Sequence, residues 1–319
     1  MVARKESDMI LIVGASGRLG SVAAELLLAQ GKSIRALTRT PLKLAHLKQQ
    51  GAEVVRGDLR DPVSLLSACQ GAEQVVAAAH ALDGKGDNNP HTVDAAGNRH
   101  LIDAAKAAGV QHFIFISILG VSSDAPLEFF RIKYRTEEYL RASGLSFTIL
   151  RPSAYMQLWA QLIGQPIVAQ GKTTIIGRGN NPINFVAVED VARFVSIALD
   201  DPRARNTVIE VAGPENLTMN QLAEIFERAS GRQAKKRHIP LPMIRVMSIL
   251  MHPINPAMSR LIRNGIYMDT ANLHHDTTET ARTFGVKQTP FEEFARRATS
   301  NTAQLEPASK IKYMHVEGG

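Results

Sequence analysis

The chain has 319 residues, 45% apolar and 21% charged, a balance that suits one large or two modest domains and excludes wholesale disorder. No run of about 18 apolar residues occurs, so no membrane-spanning helix is expected, and the opening segment lacks the apolar stretch of a secretory leader. The net charge of +7 has a location: between Gly231 and Met268 lie seven basic residues (Arg232, Lys235, Lys236, Arg237, Arg245, Arg260 and Arg263) and no acid, so this stretch alone equals the whole excess.

Short β-rich runs at residues 9–13, 33–38, 53–56, 74–78, 112–117 and 146–150 alternate with helical segments. Several read as continuous apolar stretches, as strands buried on both faces do. After the first run, Leu19, Val22, Ala23, Leu26 and Leu27 fall at helical spacing, and Gly31 stops that helix. Thr40-Pro41 offers a cap and a first-turn proline to a second helix ending at Gly51, and Asp61-Pro62 repeats the device up to Gly71. Cys69 is the only cysteine, which excludes an internal disulfide or a cysteine-built zinc site; it reads as a small core residue. Strand–helix alternation of this length predicts an α/β fold: a doubly wound parallel sheet of Rossmann type with right-handed crossovers.

Past Arg151-Pro152 the regularity weakens. A helix is expected from Glu189-Asp190, a strand at 207–211, and a helix opened by the capping-box pair Thr218 and Gln221 and ending near Gly231. Residues 240–266 suggest two short amphipathic helices broken at Pro253 and Pro256. The expected division is 1–152 as the Rossmann-type core, 153–302 as a smaller, mostly helical substrate or partner region whose strands and helices return to the core, and 303–319 as a flexible tail.

Gly14, Ser16, Gly17, Arg18, Leu19 and Gly20 form a glycine-rich turn between the first strand and its helix. Glycines there permit a tight turn, let backbone N–H groups approach a pyrophosphate and let helix and strand pack closely, with the positive end of the helix dipole toward the phosphates. The strand before it, the helix after it and the alternating units downstream all agree with dinucleotide binding. An NAD site places an acid near the end of the second strand for the ribose hydroxyls. Residues 33–48 contain none and instead carry Arg35, Arg39, Lys43 and Lys48. A 2′-phosphate needs guanidinium partners, so NADPH/NADP is expected over NADH, held by Arg39 and Arg18 with Thr38 as a hydroxyl donor.

The Gly-x-x-Gly-x-x-Gly spacing, Thr38-Arg39, Gly57-Asp58-Leu59, the run from Val110 to Ser117, Leu145 to Pro152 and Val186-Ala-Val-Glu-Asp190 together resemble the NmrA-like, atypical short-chain dehydrogenases over about residues 9–231. That group includes NAD(P)H-dependent reductases, redox-sensing regulators and non-catalytic subunits of membrane redox complexes. The resemblance implies that Asp58 and Leu59 border the adenine, that Ala77, Ala78 and Ala79 pass the ribose and pyrophosphate, and that Pro152 to Tyr155 approach the nicotinamide. It also implies a Tyr-x-x-x-Lys pair on the fifth helix, stacked on one helical face so that the ammonium lowers the tyrosine pKa. Here the segment is Phe129-Phe-Arg-Ile-Lys133: the lysine is present and the tyrosine is replaced by Phe129. Lys133 is then the candidate for both ribose contact and proton donor, Ser117 occupies the usual serine neighbourhood, and Tyr155 is the alternative acid. A quinone-like acceptor would take hydride with less demand for a positioned acid.

Two readings follow. One is an NADPH-dependent oxidoreductase acting on a small carbonyl, quinone or related acceptor; the other is a non-catalytic NADPH-binding sensor or assembly protein. The basic Gly231 to Met268 stretch reads as a solvated lid face, as a protein or membrane-surface contact, or, least favoured, as a nucleic-acid site, since no nucleic-acid motif accompanies it. His274-His275-Asp276 reads as a surface loop, and no metal site is expected. A cytoplasmic location, peripheral at a membrane in the second reading of the basic stretch, completes the expectation.

Overall fold

The computed structural model describes residues 8–276 and 278–300, and the chain divides into two compact units. The first takes its described residues from 1–152, 188–211 and 279–286, the second from 153–187, 212–278 and 287–319. The tail expected at 303–319 lies outside the described residues.

The first unit begins with β1 (Ile10–Val13), α1 (Arg18–Ala29), β2 (Ile34–Thr38), α2 (Ala45–Gln49), β3 (Glu53–Arg56), α3 (Pro62–Cys69), β4 (Gln74–Ala77), α4 (Asn98–Ala107), β5 (His112–Ile116), α5 (Glu128–Ala142) and β6 (Phe147–Pro152). The chain then leaves it for β7 (Ala154–Tyr155), α6 (Met156–Trp159), α7 (Gln165–Gln170), β8 (Lys172–Ile176) and β9 (Ile183–Val186). It returns with α8 (Val188–Asp200) and β10 (Thr207–Val211), then departs again through β11 (Asn216–Leu217), α9 (Met219–Ser230), β12 (Lys235–Ile239), α10 (Leu241–Ile254) and α11 (Pro256–Thr270). Two further helices, α12 (Thr278–Thr283) and α13 (Phe291–Ser300), close the described chain.

One seven-stranded sheet in the order β10-β6-β5-β4-β1-β2-β3 organises the first unit, and every ladder in it is parallel. This is the doubly wound order with one added strand, and its switch point falls between β1 and β4. All four β1 residues and all five β5 residues are buried, which is why these strands read as unbroken apolar runs. Cys69 is fully buried in this core, and burial pushes its thiol up to about 12, far from nucleophilic use. The second unit packs Phe226, Phe291 and Phe294 with Phe185 in edge-to-face contacts of 5.7 to 5.8 Å. Among the described residues no helix is long and apolar enough to cross a membrane.

Some local expectations change. The Thr40 side chain caps nothing; its own N–H is held by Thr38 Oγ1 at 3.2 Å, and a 3-10 turn at Pro41–Leu44 precedes the short α2. Asp61 and the Thr218–Gln221 box do cap their helices. Helix α10 runs through Pro253 in its last turn, and the break falls two residues later at Asn255, whose side chain caps α11 through Met258 N–H. The cations Lys235, Lys236 and Arg237 lie on a strand, β12, paired in parallel with β8.

Candidate functional site

The glycine turn sits at the carboxyl ends of β1 and β4. Gly14 adopts φ +93°, and a Cβ there would lie 2.7 Å from Ala79 N and 2.9 Å from Ala78 C, so this close approach sets the turn against the chain leaving β4. A Cβ on Gly20 would meet Gly14 O at 2.2 Å, which makes Gly20 the point where helix and turn press together. Gly17 differs: its backbone is ordinary, and an added Cβ would meet only Gly14 O, at 3.1 Å. Gly17 is also the N-cap of α1, where no side chain caps the helix and no acid occupies the first turn. The turn therefore presents an uncapped helix N-terminus beside a glycine whose missing side chain leaves open space, which suits an anion.

Around it, Thr38 is buried at the end of β2 and donates to Ser16 Oγ at 3.5 Å. Arg39 donates through Nη1 to Asn88 Oδ1 at 2.8 Å. Asp58 is held below the usual carboxylate range first by its hydrogen bonds from Arg60, with Arg39 contributing. Arg60 is thus a second guanidinium beside Arg39, missed in the sequence because it follows β3 instead of β2. Leu59 is buried against Gly97, where a Cβ would lie 2.9 Å from that of Leu59. Arg18 is half-buried; burial lowers its pKa while the charge of Glu189, at the start of α8, opposes that shift. Arg35 is engaged with Glu53 and with the carbonyls of Ala68 and Gln70. The donor set (uncapped N–H groups, two guanidiniums, no acid on β2) could hold a pyrophosphate and a 2′-phosphate.

A buried polar line runs beneath α5. Lys133 is 3% exposed; its Nζ lies 3.2 Å from Asp94 Oδ1, donates to Ile116 O at 3.3 Å, and stands over the rings of Phe115 and Phe129 at 4.9 and 5.7 Å. Asp94 is fully buried in a π-helical stretch at Pro90–Gly97, and its other oxygen accepts from Ala81 N at 2.8 Å. Phe129 is 7% exposed and meets His80 edge-on at 6.4 Å. The His80 imidazole is held below its ordinary pKa by desolvation first, with Lys133 adding to the shift and Asp94 opposing it.

Ser117 donates its one hydroxyl proton to Glu137 Oε1 at 2.5 Å. Glu137 is fully buried and also accepts from Arg151 at 2.7 and 3.0 Å and from Arg141 at 3.1 Å. Pro152 ends β6, where its carbonyl accepts from Leu119 N. Tyr155 belongs to the second unit, on β7, where burial pushes its phenol above the ordinary tyrosine value. The sheet thus brings Gly14, Ser16, Gly17, Thr38, Ala77, Ala78, Ala79, Ser117 and Pro152 to strand carboxyl ends, with Lys133 hydrogen-bonded to the end of β5. Asp94 and Glu137 were not legible as site residues. The one available signal was a carboxylate inside an otherwise apolar helical face.

A separate hollow of about 520 Å³ lies between α4 and α5, lined by Arg99, Asp103, Arg135 and Tyr139 among others. Tyr139 donates to Asp103 at 2.8 Å and Arg99 stacks on its ring, so several of its polar groups already satisfy one another.

A family model described as NmrA-like matches residues 6–295. A photosystem II assembly factor, Ycf39 of Cyanophora paradoxa, is 35% identical over 74% of this chain and 73% of its own. An NAD(P)H azoreductase of Xenophilus azovorans is 29% identical over 71% of this chain and 76% of its own. The NADPH-dependent quinone oxidoreductase of Escherichia coli, solved with NADPH, superposes with a TM-score of 0.74 at 26% identity, covering 91% of this chain and 99% of that one.

Proposed function

The chain belongs to the NmrA-like family, and on that premise we propose that it is an NADPH-dependent oxidoreductase whose acceptor is of quinone or azo type. The glycine turn with its uncapped helix supports pyrophosphate binding, and Arg39, bonded to the uncharged Asn88 with no acid on β2, supports the 2′-phosphate. Bound NADPH supplies a hydride. The acceptor class rests on one observation: the position of the usual tyrosine is a buried phenylalanine, and Lys133 Nζ is already committed to Asp94 and Ile116 O. Ser117 is likewise engaged, donating to Glu137. An acceptor that delocalises the incoming electron pair, and draws its proton from water, suits such a site better than an isolated carbonyl does. In this reading Lys133 orients the nicotinamide ribose.

The test follows loss of reduced-nicotinamide absorbance against quinones, azo compounds and simple aldehydes. Quinones and azo compounds should turn over and aldehydes should not, while Phe129→Tyr should raise aldehyde reduction. Turnover of aldehydes by the unaltered protein at rates equal to quinones would defeat the acceptor assignment.

A second reading is favoured by the same burial. Phe129 and the Lys133–Asp94 pair also suit a protein that binds NADPH without using it, and the resemblance to an assembly factor points the same way. No turnover across the panel, with NADPH demonstrably bound, selects that reading. In either case we propose that the basic stretch between Gly231 and Met268 is a contact surface, not part of the acceptor chemistry.

A further inference from the structure

Exposed apolar surface gathers on one helix. Met243, Val246, Met247, Ile249, Leu250 and Ile254 all lie on α10 and are 36% to 74% exposed. At helical spacing, Met243, Val246, Met247, Leu250 and Ile254 form a single stripe with Ile249 on its flank. The opposite side is occupied: Ile244 and Ser248 are buried, and Ser259 of α11 donates to Ser248 O at 2.8 Å. Helix α10 therefore has one face packed within its hairpin and another, fully apolar, facing out. A contiguous patch of this kind on a folded chain marks an interaction surface.

Charge identifies what covers it. Helix α10 carries Arg245 and His252 and no acid; α11 carries Arg260 and Arg263 and one acid, Asp269. Asp269 is occupied by the backbone N–H groups of Arg178 and Gly179. On the helical wheel Arg245 falls between the packed face and Ile249, on the polar side of the helix and away from the centre of the apolar stripe. An anionic lipid headgroup layer complements both features, since it accepts an apolar face at the acyl boundary and cations at the phosphates.

We propose that α10 lies in the interface plane of an anionic bilayer, with Val246, Leu250 and Ile254 dipping toward the acyl chains and Arg245 at the headgroup phosphates. This does not rest on the reductase reading; it holds for a turnover enzyme and for a binding protein alike.

The full chain is sedimented with vesicles of phosphatidylcholine alone and of phosphatidylcholine with phosphatidylglycerol, at low and high salt. Binding should require phosphatidylglycerol and fall several-fold at high salt. Val246→Glu/Leu250→Glu, at two exposed positions, should cut the partition at least about tenfold with the circular-dichroism spectrum unchanged. A second measurement needs no variant: peroxide oxidation of Met243 and Met247, read by peptide mass spectrometry, should slow when anionic vesicles are added. No binding to anionic vesicles, or binding with undiminished oxidation at both methionines, overturns the proposal. So does a concentration-dependent dimer abolished by the double substitution, which would put a second copy on the face. Stripe-dependent binding to a detergent-solubilised membrane protein in the absence of any vesicle binding would put a protein there instead, and would also overturn it.

Discussion

Gly17 and Gly20 lie one helical turn apart and should fail differently when given side chains. At Gly20 the new carbon would stand 2.2 Å from Gly14 O, a backbone atom that cannot swing aside. Gly20→Ala should therefore destabilise the fold, by about 1–3 kcal/mol as overpacking does, measurable as a lower denaturant midpoint. At Gly17 the only neighbour is 3.1 Å away and φ is −84°, so Gly17→Val should fold and melt near the unaltered protein. Its branched side chain would fill the space in front of the α1 N-terminus, and NADPH binding by titration calorimetry should vanish. Native affinity in Gly17→Val would remove the turn from the cofactor site. Arg39 has a narrower expected effect. Its guanidinium now holds Asn88, an uncharged partner it can exchange for a phosphate. Arg39→Ala should weaken NADPH by about 1.5–3 kcal/mol, the range for a hydrogen bond to a charged group, and leave NADH nearly unchanged. Equal losses for both cofactors would move the 2′-phosphate to Arg60 or Arg18.

At the scale of elements, the Lys133–Asp94 pair ties α5 to the π-helical stretch before α4. Both groups are nearly excluded from water, so removing one charge strands the other, a loss of about 3–5 kcal/mol, whereas removing both costs far less. Lys133→Met should thus be markedly less stable than Lys133→Met/Asp94→Asn, and only the double substitution reports cleanly on cofactor binding or turnover. Equal stability of the two in urea would mean that the pair is not coupled. This pair also marks where the sequence stopped being legible. β1 and β5 announced themselves because strands buried on both faces must be apolar throughout, and the caps of α3 and α9 because their donors need a side chain at a fixed offset. The Gly14 turn was readable for the same local reason. Asp94 was not, because a π-helical stretch leaves the 3.6-residue period on which face assignments rest. Glu137 was hidden because Ser117 and Arg151 reach it from the ends of two strands, β5 and β6, distant in sequence. Strand β12 was hidden because Lys235-Lys-Arg-His has no alternating pattern and owes its extended form to pairing with β8.

At the scale of the whole molecule, the first unit cannot be cut from the chain at Pro152. Strand β10 pairs with β6, and α8 packs along α1 and against β5 and β6, burying Val191, Phe194, Val195 and Leu199. Four such side chains contribute about 6–12 kcal/mol, as much as a typical domain's entire stability, so a chain ending at Pro152 should not fold cooperatively. One buried histidine sits where this return is fastened. His112 Nε2 meets Thr148 Oγ1 at 2.9 Å, and Thr148 donates its single proton to Ala204 O at 2.7 Å, so the imidazole must be the donor to Thr148. The chain of bonds thus links β5, β6 and the turn that precedes β10. Desolvation first, and then the charge of Arg205, lower the His112 pKa from 6.5 to about 4. A base whose pKa is lower when folded takes up its proton first in the unfolded state. Its contribution to stability is therefore complete above about pH 6.5 and is lost as pH falls toward 4, amounting to about 3 kcal/mol. His112→Gln keeps an amide donor but cannot titrate. It should be somewhat less stable at neutral pH and should lose less stability than the unaltered protein between pH 6.5 and 4, since carboxylates titrate alike in both. Urea midpoints at several pH values measure the difference in slope, and parallel curves would show that His112 does not fasten the returning segment through its protonation state.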